Sequence, residues 1–204
     1  MGRKRIVIVG TSFAGYTAAL ELKELVGDNH DITVIANTHT FLFFPSLIWY
    51  PFGLRKEKDI TFDVRPIYQS HGIEFLEQEV SGFLPAENKV LLKDGDPVSY
   101  DYLLIGTGPK VDYDYIPGLR EHSHSIVGLT VAERTRQAWN RFLENPGPVV
   151  IASAQGAACF GAAYEFLFNV RYQLAKHKLQ EKASLTYLTA EPFAAHFGIG
   201  GFGN

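Results

Sequence analysis

The run Ile6-Val-Ile-Val9 closes on Gly10, and a second glycine, Gly15, stands just ahead of a helical pattern over Tyr16–Leu25. A short, β-branched, wholly apolar run of this kind suits a strand buried on both faces of a parallel sheet. Ala18, Ala19, Leu20, Leu22 and Leu25 supply strong helix formers at helical spacing. Asp31–Ala36 (DITVIA) is a second β run. Residues 5–37 therefore read as strand, turn, helix, strand, and the intervening helix makes the two strands parallel. The chain opens as an α/β fold with a Rossmann-like parallel sheet.

The same pattern returns later. Val149–Ala152 reads as a buried strand, Ser153–Gly156 as a turn, Ala157–Lys176 as a helix and Ala183–Thr189 as a strand. Between the two units, Phe41–Leu54 (FLFFPSLIWYPFGL) is aromatic and broken by Pro45 and Pro51. That stretch excludes a regular helix and predicts short turns packed on something flat and apolar. Asp59–Tyr68 has room for a short helix. Glu74–Phe83, Lys89–Leu92 and Val98–Tyr100 read as a small β-meander with Asp94-Gly95 as its hairpin turn. Tyr102–Ile105 reads as another buried strand, closed by Gly106-Thr-Gly-Pro109. After an irregular connection over 110–130, Val131–Leu143 is an amphipathic helix stopped by Pro146-Gly-Pro148. The expected organisation is one Rossmann-like domain over 1–112, with parallel sheet and meander, then a linker and the start of a second Rossmann-like domain over 113–204. The second unit lacks the elements that would cover its sheet, so the chain reads as part of a longer protein.

Composition narrows the function classes. A net charge of −3 argues against a dedicated nucleic-acid binder. Cys159 is the one cysteine, which rules out a disulfide within the chain. No metal site is expected. The opening residues do not form a signal peptide, and no run approaches the roughly 18 apolar residues of a spanning helix. A cytoplasmic or peripheral membrane location is expected.

Gly10-Thr-Ser-Phe-Ala-Gly15 carries the chemistry of the first unit. Gly10 permits a tight turn out of the strand, Gly15 permits close packing of helix on strand, and the helix N-terminus offers N–H groups to a pyrophosphate. Ser12 replaces the middle glycine of the usual dinucleotide pattern, and its side chain crowds the phosphate approach. Asn37 ends the second strand, 22 positions after Gly15 (37 − 15). It can donate to and accept from a ribose diol, or simply end the strand in a turn.

The second unit lacks such a loop. Laid on a nicotinamide dinucleotide fingerprint, Ala152, Ala154 and Ala157 occupy the three glycine positions. Each methyl obstructs backbone approach to a pyrophosphate, so NADH is not expected to be the electron donor. A shifted alignment would recruit Gly156. Cys159 falls where the glutamate of that fingerprint would stand, early in the helix, where the dipole favours a thiolate. The alternative is an inert cysteine packed among Phe160, Ala162 and Phe166. Glu165 on the same helix can assist proton movement, or be a solvated or capping carboxylate.

Gly10–Gly15, Phe44-Pro-Ser46, Asp101-Tyr-Leu-Leu-Ile-Gly-Thr-Gly-Pro-Lys110 and Ala158-Cys-Phe-Gly-Ala-Ala-Tyr-Glu165 occur in this order. Together they resemble the sulfide:quinone oxidoreductase family, within the wider flavoprotein disulfide reductase and type II NADH dehydrogenase group. The resemblance implies FAD in the first unit. Gly10, Ser12, Phe13, Ala14 and Gly15 would surround its pyrophosphate and Asn37 its ribose. Pro45 and Ser46 would lie beside the isoalloxazine, the Val80 backbone would meet the adenine, and Thr107 and Gly108 would close over the cofactor. FAD is expected to be non-covalent, since Ser125–Gly128 (SIVG) contains no cysteine. Sulfide and a quinone are the implied substrates, with Cys159 as one redox cysteine and a second expected from a C-terminal part, which would also carry membrane contacts. A homo-oligomer is allowed. The alternatives are a type II NADH dehydrogenase-like pyridine-nucleotide oxidoreductase and a non-catalytic flavin-binding module.

Overall fold

The computed structural model describes residues 2–157 and 159–197. The elements in chain order begin β1 Arg5–Val9, α1 Phe13–Val26, β2 Asp31–Ala36, β3 Thr40–Leu42, two 3-10 turns at Phe44–Ile48 and Tyr50–Phe52, and α2 Glu57–Ile60. There follow β4 Thr61–Asp63, α3 Arg65–Ser70, β5 Glu74–Glu77, β6 Val80–Leu84, a 3-10 turn at Pro85–Glu87, β7 Lys89–Leu92, β8 Val98–Ser99 and β9 Tyr102–Ile105. The last elements are α4 Leu119–His122, α5 Leu129–Glu144, β10 Val149–Ser153, α6 Phe160–Lys176 and β11 Leu185–Thr189. By contact, the chain divides into a first unit of 1–42 and 61–112 and a second of 43–60 and 113–204.

In the first unit, β5, β2, β1 and β9 form a parallel sheet in that order. Ile6 and Ile8 of β1 pack on one side with Ala19 of α1, Tyr68 of α3 and Phe41. Val7 and Val9 pack on the other with Val90 of β7 and Tyr100. Strand β1 is apolar from Ile6 to Val9 because both of its faces are covered there, and each such buried side chain contributes roughly 1.5–3 kcal/mol. The second cover is the antiparallel sheet β6-β7-β8.

Several expectations are corrected here. Glu74–Phe83 is not one strand. Strand β5 joins the parallel sheet, the Gln78 N–H then bonds to the Ala36 carbonyl at 2.8 Å, and β6 starts the antiparallel sheet. Asp59–Tyr68 does hold short helical turns, the end of α2 and most of α3, with β4 between them paired to β3 and a proline in the first turn of α3. Tyr102–Ile105 is a strand but not fully buried. It lies at the sheet edge, with Tyr102 62% and Ile105 56% exposed. Pro45 and Pro51 open 3-10 turns, where their missing N–H costs no helical bond.

The second unit has β10 and β11 paired in parallel across α6. Its core gathers Val170, Leu174 and Ala183 with Phe52, Trp139, Phe142 and Phe166. Phe52 meets Trp139 edge-on at 5.1 Å and stacks on Phe166 at 5.3 Å. The Tyr50 hydroxyl donates to Glu133 at 3.1 Å, and Arg136 makes two further bonds to the same carboxylate at 2.7 and 2.8 Å. These partners, led by Arg136, hold the Glu133 pKa at about 2 against its ordinary 4.5. A depressed carboxylate stabilises the fold above its unfolded pKa, and that contribution disappears as pH falls from about 4.5 toward 2. Urea titrations at pH 6 and pH 3, followed by tryptophan fluorescence, should show this loss of stability. Glu133→Gln should flatten that part of the acid limb. Among the described residues no helix is long and apolar enough to cross a membrane.

Candidate functional site

The turn from β1 to α1 is built where three backbone segments touch. Gly10 has φ +107°, and its N–H bonds to the Ile35 carbonyl at 2.8 Å. A Cβ on Gly10 would overlap the Gly106 carbonyl, and one on Gly15 would overlap the Gly10 carbonyl oxygen. Gly106 closes the triangle, since its own Cβ would stand 3.1 Å from the Gly15 nitrogen. Its N–H continues the sheet by bonding to the Val9 carbonyl at 2.7 Å. Gly106 was missed from sequence, although Gly106-Thr-Gly108 marked the spot.

Ser12 caps α1 with extended backbone, and its carbonyl accepts the Tyr16 N–H at 2.8 Å. Its hydroxyl makes no cap hydrogen bond, so the first-turn amides of Ala14 and Gly15 are not taken by the cap. No acidic side chain stands in that turn. A small cap, an uncompensated positive helix end and close glycine contacts together fit a dinucleotide pyrophosphate. The Phe13 ring turns aside, meeting Phe41 edge-on at 5.0 Å.

Thr11 and Tyr68 are a buried pair that sequence reasoning did not find. Their hydroxyls lie 2.7 Å apart, tying the loop to α3, and burial pushes the Tyr68 pKa up. Replacement of Tyr68 by phenylalanine would strand the Thr11 hydroxyl. The expected cost is about 1–3 kcal/mol, read from urea unfolding of Tyr68→Phe against wild type.

Of the remaining positions of the first unit, Asn37, Thr107 and Gly108 follow the C-terminal ends of its strands, and Val80 begins one. Asn37 is exposed directly after β2. Val80 opens β6, and its side chain packs in the core with Val7, Val9 and Ile35, so only its main chain is suited to meet a ligand. Thr107 and Gly108 are exposed past β9, Gly108 with φ +71° and open space where a Cβ would stand. Pro45 and Ser46 lie in the second unit, exposed and buried respectively, in a 3-10 turn.

In the second unit the strand-to-helix connection is different. Three residues, 10–12, separate β1 from α1, whereas six, 154–159, separate β10 from α6. Ala152 lies inside β10, so the fingerprint register moves by two and Ala154 takes the place of Gly10. Gly156, with φ +82°, is thereby recruited to the turn. A connection twice as long does not reproduce the tight phosphate turn, whichever residues line it. The helix begins at Phe160 rather than Ala157. Cys159 is its N-cap, in extended backbone and exposed, which sets aside the buried-cysteine alternative. Glu165 is also exposed, and no hydrogen bond among the described residues joins it to Cys159. Ala158 lies outside the described residues. Among those described, no group of three or more His, Cys, Asp or Glu could hold a metal ion.

The family model for pyridine nucleotide-disulphide oxidoreductases matches residues 4–161. The chain is 36% identical over 200 residues to the sulfide-quinone reductase of Aquifex aeolicus, covering 98% of this chain and 46% of that protein. It is 29% identical over 146 residues to external alternative NAD(P)H-ubiquinone oxidoreductase B3 of Arabidopsis thaliana, covering 66% of this chain and 25% of that one. The solved structure of the Aquifex aeolicus sulfide:quinone oxidoreductase superposes with a TM-score of 0.94, over 98% of this chain and 46% of that one. The chain thus spans less than half the length of these relatives. The match to the family model over most of its residues establishes that the chain belongs to the pyridine nucleotide-disulphide oxidoreductase family.

Proposed function

We propose that this chain is the N-terminal part of an FAD-dependent sulfide:quinone oxidoreductase. The observation that carries the proposal is the contrast between its two strand–turn–helix units. The first closes a tight glycine turn on a helix end free of acid, and the second opens a longer turn onto an exposed cysteine. The sulfide-quinone reductase likeness over nearly the whole chain supports the same reading.

In this proposal the first dinucleotide domain lies within 1–112, less the 43–60 excursion that packs with the second unit, and the second fold resumes at 113. Gly10, Ser12, Phe13, Ala14 and Gly15 hold the FAD pyrophosphate through main-chain groups, Asn37 the ribose, and the Val80 main chain the adenine. Thr107 and Gly108 border the same cofactor. Support for Pro45 and Ser46 beside the isoalloxazine comes from the sequence resemblance. FAD, held non-covalently, supplies two-electron acceptor chemistry. Cys159, exposed at the start of α6, accepts sulfur: HS⁻ and RS⁻ give RSS⁻, a proton and two electrons, which bound FAD would take up. Exposed Glu165 relays that proton to water. With FAD bound, a quinone would be the final acceptor of those electrons, and its contacts are not assigned to residues of this chain.

The alternative NAD(P)H-ubiquinone oxidoreductase likeness favours a second reading, a type II NADH dehydrogenase-like enzyme. Anaerobic addition of sulfide or NADH to the full-length protein separates the two. Flavin bleaching by sulfide alone is expected. Bleaching by NADH alone overturns the proposal, and a bound flavin bleached by neither leaves a different electron donor or a non-catalytic flavin binder.

A further inference from the structure

Glu191 stands two residues past the end of β11. In a dinucleotide-binding unit an acid just beyond the second strand holds the ribose diol. Here that carboxylate is already engaged. One of its oxygens accepts the Tyr164 hydroxyl and the Thr189 hydroxyl, each at 2.8 Å. The other accepts the Phe197 N–H at 2.6 Å. The Tyr164 hydroxyl in turn accepts the Ala195 N–H at 2.6 Å. The Tyr164 ring lies 4.5 Å from the Tyr187 ring and 4.7 Å from the Phe197 ring.

A second observation comes from the backbone. Ala195 and Phe197, whose N–H groups are held in this way, have φ +64° and +56°. Neither residue adopts this region without strain, so the hydrogen bonds hold the turn in a conformation it would otherwise leave. Burial alone would push the Glu191 pKa up. The bonds from Phe197, Tyr164 and Thr189 outweigh it, and the carboxylate stays below its usual range.

We infer that Glu191 and Tyr164 form a latch that turns the ribose acceptor of the second unit inward, so that the chain's own 191–197 turn occupies the carboxylate a nicotinamide dinucleotide would need. The latch is a specificity device, separate from the loss of loop glycines. It rests on reading the second unit as a dinucleotide fold without NAD(P)H, and it assigns that exclusion to named side chains. The Tyr164 ring bridges helix α6 to the turn, and its hydroxyl sets the turn's geometry.

The test uses the full-length protein with two readouts. Hydrogen exchange at the Ala195 and Phe197 amides should be slow in wild type, at least tenfold faster at Phe197 in Glu191→Ala and at least tenfold faster at Ala195 in Tyr164→Phe. Protection of Phe197 that survives Glu191→Ala overturns the latch. Tyr164→Phe combined with Thr189→Val keeps the ring packing and the Glu191 carboxylate but releases it from its side-chain donors. Titration with NADH should then give at least tenfold tighter binding than wild type, and adding Glu191→Ala should remove the gain. NADH affinity unchanged in the released variant overturns the specificity role. Should NADH rather than sulfide bleach the wild-type flavin, the proposed function fails, while the exchange experiment still decides whether the latch exists.

Discussion

Gly15→Ala is expected to destabilise the first unit by about 3 kcal/mol or more, at the upper end of overpacking costs, and to leave the purified protein without flavin. The added methyl would overlap the Gly10 carbonyl oxygen and lie 2.7 Å from its carbon, both main-chain atoms. No rotamer change relieves that contact, so β1 and α1 must separate. Gly106 is packed on Gly15 from the β9 side, which closes the other escape route. Gly108→Ala is the contrasting variant. Unlike helical Gly15 it has positive φ, but nothing lies within 4 Å of its Cβ position, so a backbone penalty of about 1–2 kcal/mol applies with no steric clash. Urea unfolding and the flavin-to-protein absorbance ratio of the two variants measure the contrast. Equal stability and equal flavin content would remove the glycine triangle as the basis of the site.

That triangle also shows what the sequence could reveal. Gly10 and Gly15 are close in the chain, and their spacing between a strand and a helix carried their meaning. Gly106 joins them only because β9 pairs with β1, and long-range pairing leaves no local mark. The Thr11–Tyr68 bond was hidden for the same reason, since it joins residues 57 positions apart. Apolar runs did identify β1, β2, β9, β10 and β11. They did not show where Glu74–Phe83 breaks, because β5 and β6 have similar composition and differ in their partners. The opening of α6 was misplaced by three residues because alanines at 157 and 162 favour helix equally. The aromatic excursion at 43–60 was legible as irregular, but its membership in the second unit depends on Phe52 meeting Trp139 and Phe166.

The corrected start of α6 sharpens the expectation for Cys159. At the N-cap its sulfur stands at the positive helix end, and exposure leaves it open to a small anion such as hydrosulfide. Cys159→Ser nearly keeps the size of the residue, and the Cys159 side chain makes no cap hydrogen bond to lose, so flavin content and unfolding midpoint should stay within error of wild type. Serine cannot retain sulfur, and its hydroxyl is not ionised near neutrality. Stopped-flow bleaching of the flavin by sulfide in the full-length protein should therefore fall by at least about a thousandfold, within the range typical for losing one essential group. Glu165→Gln is the companion variant. A proton relay in that position predicts a loss of about a hundredfold. A rate within tenfold of wild type would place Glu165 on the solvated surface instead. Unchanged bleaching in Cys159→Ser would move the sulfur chemistry off α6 altogether, since this chain contains no other cysteine to receive it.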